Sequence, residues 1–153
     1  MAAVPLNALT ISVEGGVPAL DRVGFYERRR MGHGRFIERD DVVRRNPRRL
    51  SDLLQGMPGV RIVTDGWFSD VRLRASGLTG FNATPAMMCF PPVFLDGIVV
   101  SHGNAEPGDR YNVDSILPQD IEAIEVYTGP AQVPAKYGGA NSACGIMLIW
   151  TRQ

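Results

Sequence analysis

No apolar run in this sequence is long enough to cross a membrane as a helix. The longest, residues 91–95 and 146–150, fall far short of the roughly 20 residues that a span needs. Residues 1–13 place no basic residue ahead of a continuous apolar core, so no export signal is expected within them. Cysteine is scarce too. Cys89 and Cys144 are the only two, too few for a disulfide scaffold and without the paired spacing of a zinc site. An excess of charge is also missing: sixteen basic and sixteen acidic residues cancel, which removes the usual electrostatic argument for a polyanionic partner. There is no His-Glu-x-x-His, no Gly-x-Ser-x-Gly and no phosphate-cradling glycine loop ending in Lys-Ser/Thr. Ser101 and His102 are adjacent, which is not how a Ser–His pair meets for catalysis. No enzymatic activity, metal or cofactor is therefore expected.

What is present has the size and balance of one globular domain with its own core: 153 residues, 44% hydrophobic and 21% charged. The charge is unevenly spread. Nearly all the arginines lie between Arg22 and Arg74, including Arg28-Arg29-Arg30, Arg44-Arg45 and Arg48-Arg49, whereas residues 96–125 are acidic. Glu27, Glu38, Asp40, Asp41 and Asp52 are interleaved with these arginines and are expected to pair with them at helical spacing. That pattern reads as a solvated mixed-charge surface, and no nucleic-acid partner is expected.

Residues 1–19 read as a flexible leader, with Pro5, Gly15, Gly16 and Pro18 around one β-prone run, Leu9-Thr10-Ile11-Ser12-Val13. The folded body is expected over residues 20–153. Val23, Tyr26 and Arg30 fit a short helix across 21–31, ended by Gly32-His33-Gly34. A brief strand at Phe36-Ile37 precedes a second helix over 40–45, with its acids where the helix dipole favours them. The clearest helix follows. Asn46 suits its N-cap, Pro47 its first position, and Leu50, Leu53, Leu54 and Met57 fall at i, i+3, i+4 and i+7, with Gly56 and Pro58 to stop it. Beyond it the period shortens, predicting strands at 60–63, 71–74, 93–95, 98–100, 121–127 and 146–151, with a tight Asp96-Gly97 turn between the third and fourth. Helical turns are expected at Pro118 and across 130–137. The mixture predicts an α+β domain, a small mixed β-sheet with short helices and hairpin loops.

Four segments, in order, carry a resemblance to a known family over residues 36–152. Leu50-Ser51-Asp52-Leu53-Leu54-Gln55-Gly56-Met57-Pro58-Gly59-Val60 reads as a helix followed by an apolar residue and Pro-Gly-Val, and Val71-Arg72-Leu73-Arg74 as an Ile-x-Ile-Arg strand. Pro92-Val93-Phe94-Leu95-Asp96-Gly97-Ile98 resembles a Val-Leu-Val-Asp-Gly-Val hairpin. Residues 121–131 resemble Ile-Glu-x-Ile-Glu-Val-x-x-Gly-Pro-Ala, continuing through Tyr137-Gly138 to a closing Gly-x-Ile-x-Ile-x-Thr at 145–151. Together these resemble the plug domains of TonB-dependent outer-membrane receptors. Apolar Ile121, Ile124 and Val126 suit the packed side of a sheet, and Gly129-Pro130 forces a turn. Two positions depart from the pattern: Thr128 stands where many members have an arginine before Gly-Pro, and Ala75 where they have glycine. By resemblance that arginine helps lock plug to barrel wall.

The resemblance implies a domain within an outer-membrane barrel lumen, facing the periplasm and soluble when isolated. Its partners would be the barrel, TonB and a small nutrient ligand such as a siderophore, cobalamin or oligosaccharide. The implied ligand-facing loops are 75–90 and 101–112, with Arg74, Ser76, His102, Asn104, Arg110 and Tyr111 as candidate contacts. Residues 9–13 stand where a TonB box would lie and are suited to pairing as an added strand. The alternative is a barrel-free periplasmic binding or interaction module with a plug-like fold.

Cys89 and Cys144 each precede a predicted strand. If those strands are parallel neighbours, their starts meet and the cysteines come within bridging distance. The oxidising periplasm implied by the resemblance would preserve such a disulfide. Two buried free thiols are the alternative.

Overall fold

The computed structural model describes residues 16–73, 89–103, 108–139 and 142–153; the leader run at 9–13 lies outside them. Two units are distinguished, residues up to Gly32 together with Gln153, and His33–Arg152.

The first unit contains α1 (Pro18–Arg22) and α2 (Phe25–Met31). A single helix across 21–31 does not form. Gly24 takes φ 77 at the N-cap of α2 and divides the two, a left-handed conformation that glycine adopts without steric cost. The entry to α1 is tied to α2, because the Val17 amide donates to the Tyr26 hydroxyl at 2.8 Å.

The second unit contains β1 (Arg35–Glu38), α3 (Arg39–Arg45), α4 (Leu50–Leu54), β2 (Val60–Asp65), β3 (Phe68–Leu73), β4 (Val93–Leu95), β5 (Ile98–Ser101), β6 (Ile121–Tyr127) and β7 (Ile146–Thr151). Five strands form one sheet in the order β1-β6-β7-β4-β5, and β2 with β3 forms a separate antiparallel hairpin. Among the described strands only the β4–β7 pairing is parallel, so the sheet is mixed and the α+β expectation is met. Asp96 (φ 49) and Gly97 (φ 85) turn β4 into β5, the doubly left-handed turn that suits a two-residue hairpin. The predicted turns at 118 and 130–137 are short 3₁₀ segments, Pro118–Asp120, Pro130–Gln132 and Ala135–Tyr137.

Residues directly opposite across a sheet share a face. Ile37, Ile124, Val126, Met147 and Ile149 therefore point the same way, and they join Val42, Leu50, Leu53 and Leu54 in the main core. Burial of each such side chain contributes roughly 1.5–3 kcal/mol. The opposite face is buried as well. Glu125, fully buried, lies there and accepts from the Tyr127 hydroxyl at 2.7 Å and the Trp150 indole N–H at 2.6 Å.

The helix expected from Asn46 to Met57 is shorter than its pattern. Asn46 ends α3 with φ 44 instead of opening the next helix, and α4 spans only five residues. Its N-terminus is capped both by its own Asp52 and from a distant residue. One Asp52 oxygen accepts from the Arg48 and Arg49 amides at 3.1 and 3.0 Å, and Asp114 accepts from the Ser51 amide at 2.9 Å and its hydroxyl at 3.0 Å. The Asp114 contact spans 63 residues of sequence, beyond the reach of any local cap rule.

Candidate functional site

The strand registers divide the five-stranded sheet into two ends. At one end, Val93 meets both Ser101 and Met147, Tyr127 meets Ile146, and Arg35 meets Val126. At the other, Leu95 meets Ile98, Ile121 meets Thr151, and Glu38 meets Ala123. The connections 102–120 and 128–145 both leave from the first end.

That end is covalently closed. Cys89 and Cys144 form a disulfide with Cα atoms 5.8 Å apart, as the parallel pairing of β4 with β7 predicted. Cys89 also exchanges both backbone hydrogen bonds with Leu73, at 2.8 and 3.0 Å, beyond the start of β4. The bridge therefore fastens the last residue of β3 to the approach to β7, joining the two sheets.

The segment after β5 is held by a row of polar contacts. His102 donates its backbone N–H to both Asp109 oxygens at 2.9 Å, and its ring Nδ1 lies 2.8 Å from Asp109 Oδ1. The His102 side chain is 69% exposed. Arg110 binds the buried Asp70 carboxylate through Nε at 2.8 Å and through Nη2. Arg72 Nε stands 3.5 Å from the other Asp70 oxygen. Phe90 lies beneath both guanidinium groups, 4.8 Å from Arg72 and 5.5 Å from Arg110, an arrangement that stabilises both cations. Asn112 accepts from the Ser69 amide at 2.9 Å. Tyr111 packs on the main core, and its hydroxyl accepts from Ser115 at 3.3 Å.

Thus, of the six candidate ligand contacts, His102 is exposed and held by Asp109, Arg110 is engaged by Asp70 and Tyr111 is half-buried. Arg74, Ser76 and Asn104 lie outside the described residues. Sequence reasoning passed over Asp70 and Asp109 because a lone aspartate in or after a strand carries no signal until its arginine or histidine is brought to it. Glu125 did leave one: Glu125 and Tyr127 share a strand face at period two, as do Leu148 and Trp150.

Asp70→Ala is expected to lower stability by about 2 kcal/mol, because it strands two partly buried guanidinium groups. Urea denaturation measures it; a change within about 0.5 kcal/mol, the ordinary range for a surface substitution, would show the cluster to be energetically idle.

Thr128 directs its amide and hydroxyl to the Gln132 side chain, at 3.3 and 3.4 Å. Among the described residues no three metal-ligating side chains gather, and no helix is long and apolar enough to cross a membrane.

The family profile described as TonB-dependent Receptor Plug Domain matches residues 34–144. No curated protein matches the chain in sequence. Among solved structures, it is similar to the siderophore receptor PirA from Pseudomonas aeruginosa, with 27% identity and a TM-score of 0.50 over 79% of this chain. A variant of the ferric enterobactin receptor PfeA from the same organism, in complex with enterobactin, has 26% identity and a TM-score of 0.52 over 79% of this chain. PirA from Acinetobacter baumannii, at 23% identity and a TM-score of 0.53, shares the fold. This chain spans 17–18% of the length of those receptors. The profile covers β1 to β6 and both cysteines of the disulfide, and the chain belongs to the TonB-dependent receptor plug domain family.

Proposed function

We propose that this domain fills the lumen of an outer-membrane β-barrel and turns its disulfide-tied end toward a siderophore-type ligand. The observation that carries the reading is that the 102–120 and 128–145 connections both leave from one end of the sheet, the end that the Cys89–Cys144 bridge closes. His102 offers an oriented imidazole there. The family resemblance supports the barrel, and the receptors named above are siderophore and ferric enterobactin receptors. TonB is the proposed energising partner, recruited through residues 9–13. Residues 1–19 act as the leader that carries that segment and 20–153 as the plug. With Thr128 turned to Gln132 where many members carry arginine, the plug-to-barrel lock is built from other residues.

The test is an NMR titration of the 153-residue protein with gallium-loaded enterobactin, a diamagnetic stand-in for the ferric chelate, beside cobalamin and a maltooligosaccharide. Enterobactin is expected to move the signals of Ser101, His102, Arg110 and Cys144 and to leave Asp96, Gly97 and Thr151 unmoved. A response to cobalamin or the oligosaccharide alone would change the ligand class. Perturbation at the Asp96–Gly97 end, or none at the disulfide end, would overturn the placement.

A further inference from the structure

The arginine-rich stretch is not neutralised in the way its sequence suggests. Asp41 pairs with Arg44 and also accepts from the Glu38 amide at 3.0 Å. Asp52 spends its side chain on the backbone amides of Arg48 and Arg49. Arg45 reaches only a backbone carbonyl, that of Asp52, at 3.4 Å. Among the described residues no carboxylate pairs with the guanidinium groups of Arg35, Arg45, Arg48 or Arg49, and all four residues are exposed. The cause is local: both α3 and α4 are short and carry aspartates in their first turn, so Asp41 and Asp52 go to capping and the cations are left over.

Two of these arginines stand over a groove. It has a volume of about 550 Å³ and runs beside β1, the outermost strand of the five-stranded sheet. Phe36, Ile37, Leu53 and Met57 supply an apolar lining, and Arg35 and Arg45 supply the cations; Asp41 also lines it, its carboxylate engaged by Arg44 and the Glu38 amide. Such a site rewards an occupant carrying apolar side chains and carboxylates together. A polyanionic backbone would gain little from the apolar floor, and a chain of zero net charge lacks the long-range field that draws one in.

We propose that this groove is a docking surface for an extended, carboxylate-bearing segment of a partner polypeptide, with apolar side chains on the floor and acids against Arg35 and Arg45. In an extended segment alternate side chains point to opposite sides, so a segment alternating apolar and acidic residues satisfies both parts of the groove at once. Arg48 and Arg49 are exposed on the approach to α4, the helix whose Leu53 lines the groove. The inference does not depend on the ligand reading, since it concerns β1, α3 and α4 and not the disulfide-tied end.

The experiment titrates the ¹⁵N-labelled 153-residue protein with two capped hexapeptides, one alternating Glu and Val and the other Lys and Val. The Glu peptide is expected to shift Phe36, Ile37, Arg45 and Met57, to weaken as salt is raised, and to lose about ten-fold in affinity in the Arg35→Glu/Arg45→Glu variant. The Lys peptide is expected to leave those signals unmoved. Both substitutions are at exposed positions, and retained dispersion of the spectrum checks the fold. Arg45→Gln alone supplies a milder second variant, expected to fall between wild type and the double variant. No shift by about 1 mM peptide, the weak limit of useful recognition, would overturn the proposal. So would binding that ignores the variants, or equal binding of the Lys peptide. Arginine-dependent capture by phosphatidylglycerol vesicles without peptide binding would reassign the surface to lipid.

Discussion

Gly145→Ala is expected to cost more than about 4 kcal/mol, enough to take a domain of ordinary stability to the edge of unfolding. Gly145 has φ +87, a conformation that alone costs a residue with a side chain about 1–2 kcal/mol. The greater part of the loss is steric. An added Cβ would sit 1.8 Å from the Tyr127 carbonyl oxygen and 3.2 Å from the Gly129 nitrogen, and both are backbone atoms that cannot swing aside. Relief requires separating β7 from β6 where Ile146 pairs with Tyr127, next to the disulfide. Gly56→Ala is the control. Gly56 has φ +84 with nothing within 4 Å of its added Cβ, so only the conformational cost of about 1 kcal/mol remains. Urea denaturation followed by circular dichroism compares the two. Equal losses would show that the close approach at Tyr127 is relieved at no cost.

Reduction of Cys89–Cys144 is expected to destabilise the domain by about 4 kcal/mol in the chain-entropy account, which the 55-residue separation sets. Because the bridge fastens β3 to β7, the loss is expected to show first in the backbone pairing of Leu73 with Cys89. Intact mass rises by two hydrogens on reduction, and amide exchange at Leu73 accelerates. The Cys89→Ala/Cys144→Ala variant should match the reduced protein in stability. Thiol titration of the unfolded, unreduced protein that found both cysteines free would remove the bridge and this prediction with it.

The strands were legible because their signal is local. Residues 121–127 and 146–151 are runs of apolar, β-prone side chains, and the Asp96-Gly97 dipeptide meets the φ requirement of its turn by itself. Even the disulfide followed from two strand starts, once the strands were taken as parallel neighbours. The start of the helix after Asn46 was not legible, for an equally physical reason. Asn46 satisfies the preferences of an N-cap and of a left-handed C-terminal residue alike, and only the packing of α3 against β1 and β6 chose the second. The candidate site was the least legible part. Arg110 resembled a ligand contact because nothing near it in sequence reveals Asp70, 40 residues away.

By itself the sequence determined which segments are strands, where the chain turns, and the family to which the domain belongs, since these rest on side-chain periodicity and on single-residue backbone preferences. Tertiary structure alone decided how the charges are spent. A carboxylate has few strong acceptor positions, and whether they go to a guanidinium, an imidazole or a backbone amide depends on what folding brings within about 3 Å. Asp70 thus went to Arg110, Asp109 to His102, and Asp114 and Asp52 to the start of α4. Among the described residues Arg35, Arg45, Arg48 and Arg49 were left without acids because those distances, and not the matching totals of sixteen and sixteen, govern pairing.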